Sequence, residues 1–372
     1  MGPMKQAMAR SECLDENALV VLFDGAEQDA AVHAHLDVCP DCRRVVAELA
    51  RELAAEEEAG FARRDDEALT AEDFDRSSAW CGAIVGGRYR LQRCLGEGGL
   101  GIVWSATSVM GSDREAFALK FLKAPDPARA KRFVREGRVT AALRHPNIVH
   151  VYDAFEADGF PPVIVMDLLR GETLRTCMRR LGPLAIERTV AVLRAIVSAL
   201  GAAHAQGVVH RDLKPDNVFL SEAHPAPSAQ TVKVLDFGLA KLTALEGGCA
   251  ATSPLTHSGH IVGTPTYMAP EQIYGEKDID ARADIWSLGV LAFECLSGTR
   301  PIEGRTLGHA IRAISTGKLI SLAKVAPAVP AAMTNLVTRM LSVDRARRPT
   351  LDEIDAVLAA TARRGGGSVG LG

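Results

Sequence analysis

Residues 210–217 read His-Arg-Asp-Leu-Lys-Pro-Asp-Asn, and nineteen positions beyond Asn217 stands Asp236-Phe237-Gly238. Any fold of this chain has to accommodate these two charged motifs in the order in which they occur. Upstream of them, Tyr89 to Leu95 and Ile102 to Thr107 alternate as strands around a glycine turn, and Ala116 to Leu122 makes a third strand. After Val163 to Leu169 the pattern turns helical. The segments Ile186 to His204, Ala283 to Leu296 and Ala331 to Leu341 each repeat apolar residues at spacings of three and four. The expectation is an α+β chain in which a sheet lobe precedes a helical lobe.

The residue types in the motifs point to phosphoryl transfer. Asp212 is positioned to orient and deprotonate a hydroxyl, and Lys214 to contact the γ-phosphate and offset its developing charge. Asn217 and Asp236 supply oxygens for Mg²⁺ or Mn²⁺, a hard cation that takes few protein ligands and bridges phosphates. Upstream, Leu95-Gly96-Glu97-Gly98-Gly99-Leu100-Gly101-Ile102-Val103 has glycines where missing side chains let backbone N–H groups approach phosphate oxygens. A dinucleotide-binding loop would lead into a helix, whereas strand-like Ile102-Val103-Trp104 follows here. Lys120, on the next strand, is expected to reach the α- and β-phosphates of ATP. Its expected partner is Glu136 of the Arg-Phe-Val-Arg-Glu-Gly run, sixteen residues on. An Asp-Phe-Gly tripeptide or a strand lysine arises often by chance; the whole set in this order does not.

From about Arg88 to Ala360 the chain resembles the bacterial eukaryotic-like Ser/Thr protein kinases. The resemblance implies a two-lobed protein kinase fold with an antiparallel β-sheet N-lobe and a helical C-lobe. It also implies ATP with Mg²⁺, and transfer to Ser or Thr hydroxyls of proteins, the chain itself included. By that resemblance Met166 is the gatekeeper, Asp167 and Leu169 offer backbone contacts to adenine, and Val103, Ala118 and Phe219 sandwich the ring. Thr264 would hydrogen-bond near Asp212, Glu271 would pair with Arg348, and Asp284 would brace the backbone of the His-Arg-Asp motif. Arg211 marks the type whose activation loop is ordered by phosphorylation, with Thr256 and Ser258 as candidate acceptors.

The net charge of −3 hides an asymmetry: residues 1–86 hold 8 basic and 19 acidic side chains, and the remainder 35 basic and 27 acidic. Docking between an acidic head and a basic body, and two separately solvated surfaces, both fit. Within the head, Cys13 lies upstream of His35-x₃-Cys39-x₂-Cys42, four ligands of the kind that suit a closed tetrahedral Zn²⁺ site. The segment resembles the zinc-binding anti-sigma domain. A redox dithiol of Cys39 and Cys42, or plain helix packing, remains open beside structural zinc.

The expected organisation is a small helical zinc-binding module over 1–55, an acidic linker over 56–86, the kinase domain over 87–360 and a Gly-rich tail over 361–372. The N-terminus lacks the apolar core of a signal peptide, and the longest apolar stretch, Thr189 to Val209, is broken by Arg194 and His204. A cytoplasmic protein acting on proteins follows, with no membrane or nucleic-acid partner, a possible protein partner for the head, and dimerisation left open. Two other classes compete with the enzyme: a nucleotide-binding pseudokinase scaffold, and an anti-sigma-like regulator whose kinase domain modulates partner release.

Overall fold

The computed structural model describes residues 80–98, 101–110, 116–123, 126–222, 230–237, 265–276, 278–302, 311–314 and 318–365. The elements begin with β1 (Ile84–Val85), β2 (Tyr89–Glu97), β3 (Gly101–Ser108), β4 (Ala116–Leu122) and helix α1 (Pro127–Ala141). Strands β5 (Val151–Phe155) and β6 (Val163–Asp167) complete a six-stranded sheet in the order β1-β2-β3-β4-β6-β5, every neighbouring pair antiparallel.

Helix α1 begins where its sequence says it should. Asp126 Oδ1 accepts from the backbone N–H groups of Ala128 and Arg129 at 2.8 and 2.9 Å, and Pro127 occupies the first turn, where no N–H is needed. Its Phe133, Val134 and Gly137 are buried toward Ala154 and Ile164 of the sheet. A Cβ on Gly137 would come within 2.6 Å of Ala154 Cβ and 2.9 Å of Ile164 Cγ1, so glycine sets how closely this helix approaches. The helix is thereby fixed over β5 and β6, the latter paired with β4, which carries Lys120.

The opposite face of the sheet buries Val85, Leu91, Trp104, Leu119 and Phe121, with Trp80 packed against them. The Trp80 ring lies edge-on to Phe121 and Phe160, at 5.0 and 5.4 Å between centroids. The sequence places Trp80 to Val85 in an acidic linker; the structure makes them part of the sheet lobe. Leu91 N–H donates to Ala83 O and Gly82 N–H to Leu91 O, both at 2.9 Å, so the stretch is hydrogen-bonded to β2 as well as packed.

The second lobe holds a small sheet of β7 (Gly171–Thr173), β8 (Val218–Glu222) and β9 (Gln230–Val234), and the helices α2 (Leu174–Leu181), α3 (Ile186–His204), α4 (Pro270–Ile273), α5 (Arg282–Ser297), α6 (Leu322–Val325), α7 (Ala331–Met340) and α8 (Leu351–Gly365). Strands β8 and β9 pair antiparallel, from Val218 opposite Val234 to Glu222 opposite Gln230. Helix α5 is apolar almost all round and buried from Ala283 to Leu296, as befits the centre of a core. Around it pack α3, α7 and the loop that carries residues 210–217. Helix α8 continues to Gly365, past the expected start of the tail at 361. Among the described residues no helix is long and apolar enough to cross a membrane.

Candidate active site

The glycine turn joins β2 to β3. Gly98 N–H donates to Gly101 O at 2.9 Å and Gly101 N–H to Gly98 O at 3.3 Å, closing the hairpin below its tip. Gly99 and Leu100 lie outside the described residues. A Cβ on Gly96 or Gly98 would meet nothing within 4 Å, so the missing side chains leave open space beside the backbone, as a phosphate-covering loop requires. Gly101 differs: its Cβ would lie 2.2 Å from Phe121 O, so here glycine admits the neighbouring strand. Glu97 pairs with Lys123, the residue that follows β4, and Leu95 is exposed.

Lys120 faces Val103 in the β3–β4 register, and its side chain is 9% exposed. An ammonium so buried needs a carboxylate, and Asp236 Oδ2 accepts from its Nζ at 2.5 Å. Burial pushes the Asp236 carboxyl upward, but the charge and hydrogen bond of Lys120 outweigh it and hold the group below the usual carboxylate range. The expected Lys120–Glu136 pair is therefore not formed. Glu136 is buried in α1 and its carboxylate accepts instead from Arg135 Nη2 at 3.0 Å. Asp236 satisfies the lysine, and the helix is tied to the same loop by another route: Thr140 Oγ1 donates to Phe237 O at 3.0 Å.

Residues 210–217 form one hydrogen-bonded cluster. The Asp212 carboxylate accepts from Lys214 Nζ at 2.9 and 3.2 Å and from Asn217 Nδ2 at 3.1 Å, while Asn217 Nδ2 also donates to Asp212 O at 2.8 Å. Two residues hold left-handed backbone without being glycine, Arg211 at φ 68° and Asp236 at φ 59°. Such conformations persist only where the surroundings impose them. Asp284, wholly buried in α5, does so for the first: it accepts from the backbone N–H groups of His210 and Arg211 at 2.9 and 2.8 Å, and its Oδ2 lies 2.7 Å from His204 Nε2. His210 reaches the second motif through Nε2, 2.8 Å from Leu235 O, with its ring 4.7 Å from that of Phe237. The two motifs singled out in the sequence are thus brought into contact.

Beside them, Ala118 and Met166 are buried in one apolar cluster with Val103, Leu169 and Leu235 packed against it. Phe219 is half-buried on β8. Asp167 N–H donates to His150 O at 3.0 Å, so that group is committed to the protein's own backbone, and its carboxylate accepts from Tyr152 Oη at 2.8 Å. Farther off, Arg348 and Glu271 form the expected pair as a two-pronged bridge, with both side chains buried.

A family description of the protein kinase domain matches residues 89–357. The chain belongs to the protein kinase family. Pkn1 of Myxococcus xanthus, a serine/threonine-protein kinase, is 40% identical over 259 residues, covering 69% of this chain and 35% of the relative. PknA of Mycobacterium tuberculosis, also a serine/threonine-protein kinase, is 39% identical over 230 residues, or 60% of this chain and 50% of the relative. A third, pkn2 of Myxococcus xanthus, is 34% identical over 283 residues, or 74% of this chain and 33% of the relative. The chain spans half the length or less of these curated relatives.

This kinase domain contains an ionic group that the sequence reading missed. Arg175 of α2 donates from Nη1 to Glu294 Oε1 at 2.7 Å and from Nη2 to Tyr267 Oη at 2.6 Å, while its Nε lies 3.3 Å from Asp216 Oδ2. Tyr267 Oη in turn donates to Glu294 Oε2. Burial raises the Tyr267 phenol, with Glu294 adding to the effect. No motif marks Arg175, because its partners lie 41, 92 and 119 positions away. Thr256, Ser258, Thr264 and Gly238 fall outside the described residues, as do Cys13, His35, Cys39 and Cys42. No cluster of metal-ligating side chains occurs among the described residues.

Proposed function

We propose that this protein transfers the γ-phosphate of ATP to Ser and Thr hydroxyls of proteins, itself included, in bacterial signalling. The observation that carries the reading is the single cluster of Asp212, Lys214 and Asn217 in contact with the Lys120–Asp236 pair through His210 and Leu235. Such a set supplies an acceptor for a hydroxyl proton, two cations for phosphate oxygens, and an amide and a carboxylate for a hard metal ion.

In this reading Asp212 orients the acceptor hydroxyl and takes its proton as the hydroxyl oxygen bonds to the γ-phosphorus. The bond from that phosphorus to the β–γ bridging oxygen breaks, and its electron pair leaves with ADP. Lys214 offsets charge on the transferring group, and Lys120 holds the α- and β-phosphates under the backbone of residues 95–103. Adenine lies against Val103, Ala118 and Phe219, beside Met166, with backbone groups of Asp167 and Leu169 as its polar contacts. Asn217 and Asp236 would hold Mg²⁺ or Mn²⁺, which when bound neutralises phosphate charge. Their donor set of one amide oxygen and one carboxylate fits an ion that keeps water and phosphate as its other ligands.

Incubation with Mg-ATP and a basic protein substrate, followed by mass spectrometry, tests this reading. Phosphoserine or phosphothreonine in the substrate is expected, with phosphate at Thr256 or Ser258 of the kinase, where it can pair with Arg211. A protein that binds ATP yet phosphorylates neither would favour a nucleotide-binding scaffold.

For the head, the reading is a module over residues 1–55 that binds zinc through Cys13, His35, Cys39 and Cys42 and recruits a protein partner. Its support is the ligand types and their spacing. About one equivalent of zinc per chain is expected by elemental analysis, lost in a Cys39→Ser/Cys42→Ser variant. Folded protein without metal would turn the reading to a redox dithiol.

A further inference from the structure

Arg175 stands on a helix that carries none of the sequence motifs, yet its guanidinium joins three separate segments. Asp216 belongs to the same short loop as Asp212 and Asn217. Tyr267 precedes α4 on the segment anchored by Glu271, and Glu294 lies on the buried helix α5. The 265–273 segment is pinned elsewhere as well. Ser287 Oγ donates to Tyr267 O at 2.8 Å, Arg300 Nη1 to Thr266 Oγ1 at 2.9 Å, and Gln272 Nε2 to Arg211 O at 2.8 Å. Asp216 itself is about half exposed, and the Arg175 contact is the one that ties its side chain to the buried Glu294–Tyr267 pair. The planar fork of an arginine can serve three acceptors at fixed angles, which a lysine ammonium on a flexible stem cannot do.

Resting on the kinase reading above, we infer that Arg175 is a positioning residue that sets the spacing between the loop carrying Asp212 and the 265–273 segment, and so acts on the protein substrate rather than on ATP. Nothing in its contacts reaches the glycine turn, Lys120 or the adenine-side cluster. Without the guanidinium, Glu294 keeps only Tyr267, Asp216 is released, and the loop is free to shift. A displacement on the order of 1 Å at a reacting group can cost about 10²-fold in rate.

The test compares wild type, Arg175→Ala and Asp216→Asn for kcat and KM toward both a protein substrate and ATP, with and without added methylguanidinium. In Arg175→Ala, kcat/KM for the protein substrate is expected to fall about 10- to 100-fold with KM for ATP unchanged, and methylguanidinium to restore part of the loss. Asp216→Asn removes only the exposed arm, and is expected to raise KM for the protein substrate several-fold with the melting temperature unchanged. Wild-type values in Asp216→Asn would overturn the inference. So would an Arg175→Ala loss that falls equally on ATP and goes unrescued. A wild type that transfers no phosphate overturns both readings; an active wild type beside an unimpaired Arg175→Ala overturns this one alone.

Discussion

Replacing Arg348 with Ala is expected to lower the stability of the helical lobe by about 3–5 kcal/mol, the usual consequence of leaving one partner of a buried ion pair behind. Both side chains are almost fully enclosed, at 0% exposure for Arg348 and 3% for Glu271. The two prongs measure 2.6 and 2.8 Å, and the same guanidinium donates to Arg282 O at 2.8 Å and, through Nε, to Ser342 O at 2.9 Å. Truncation therefore strands a buried carboxylate and three carbonyls, that of Val343 included. At roughly 2–4 °C per kcal/mol for a domain of this size, the melting temperature should fall by on the order of 10 °C. The effect should reach the active-site loop, because Gln272, next to Glu271, donates to Arg211 O. A melt within about 2 °C of wild type would show that the pair is not the anchor described here. A Glu271→Gln/Arg348→Met double variant should recover much of the loss, since replacing a whole buried pair by groups of like volume is far less costly than breaking it.

Lys120→Met should reduce the rate of phosphate transfer by about 10²–10³-fold, the effect of removing one preorganised cation or donor aimed at developing charge. The structure gives that substitution a second consequence. Lys120 is the close cation of Asp236, and its removal leaves a largely buried carboxylate without the partner that holds it ionised. Because Asp236 is also proposed to hold the metal ion, nucleotide binding measured with Mg²⁺ should weaken together with the rate. A Lys120→Met variant that keeps wild-type turnover would remove this lysine from the mechanism.

The elements that carry chemistry were the most legible in the sequence, because each is defined by neighbours within a few positions. The strand over Ala116–Leu122 and the helix over Ile186–His204 have the bounds that their periodicity predicts. The loop over residues 210–217 closes on itself as the residue types imply, since Asp212, Lys214 and Asn217 are at most five positions apart. What could not be read is the choice among long-range partners. Spacing in the sequence pairs Lys120 with Glu136, whereas three-dimensional packing gives it Asp236. Arg175 is an ordinary surface-type residue in the sequence, and its partners become visible only when α2, the 210–217 loop, the 265–267 turn and α5 are in place. Trp80 falls at the end of the acidic stretch in the sequence, whereas aromatic packing against Phe121 and Phe160 decides its place. The domain therefore begins earlier than charge density suggests.

Asp212 is proposed to serve phosphate transfer from ATP to a protein hydroxyl, and that role carries the kinase reading. It is tested most directly by following labelled γ-phosphate from Mg-ATP into the protein itself and into a basic protein substrate, for wild type and Asp212→Asn side by side. The predicted result is incorporation by wild type and a fall of about 10²–10⁴-fold in the variant, with ATP affinity unchanged. Equal incorporation by the two proteins, at equal ATP occupancy, would contradict the account.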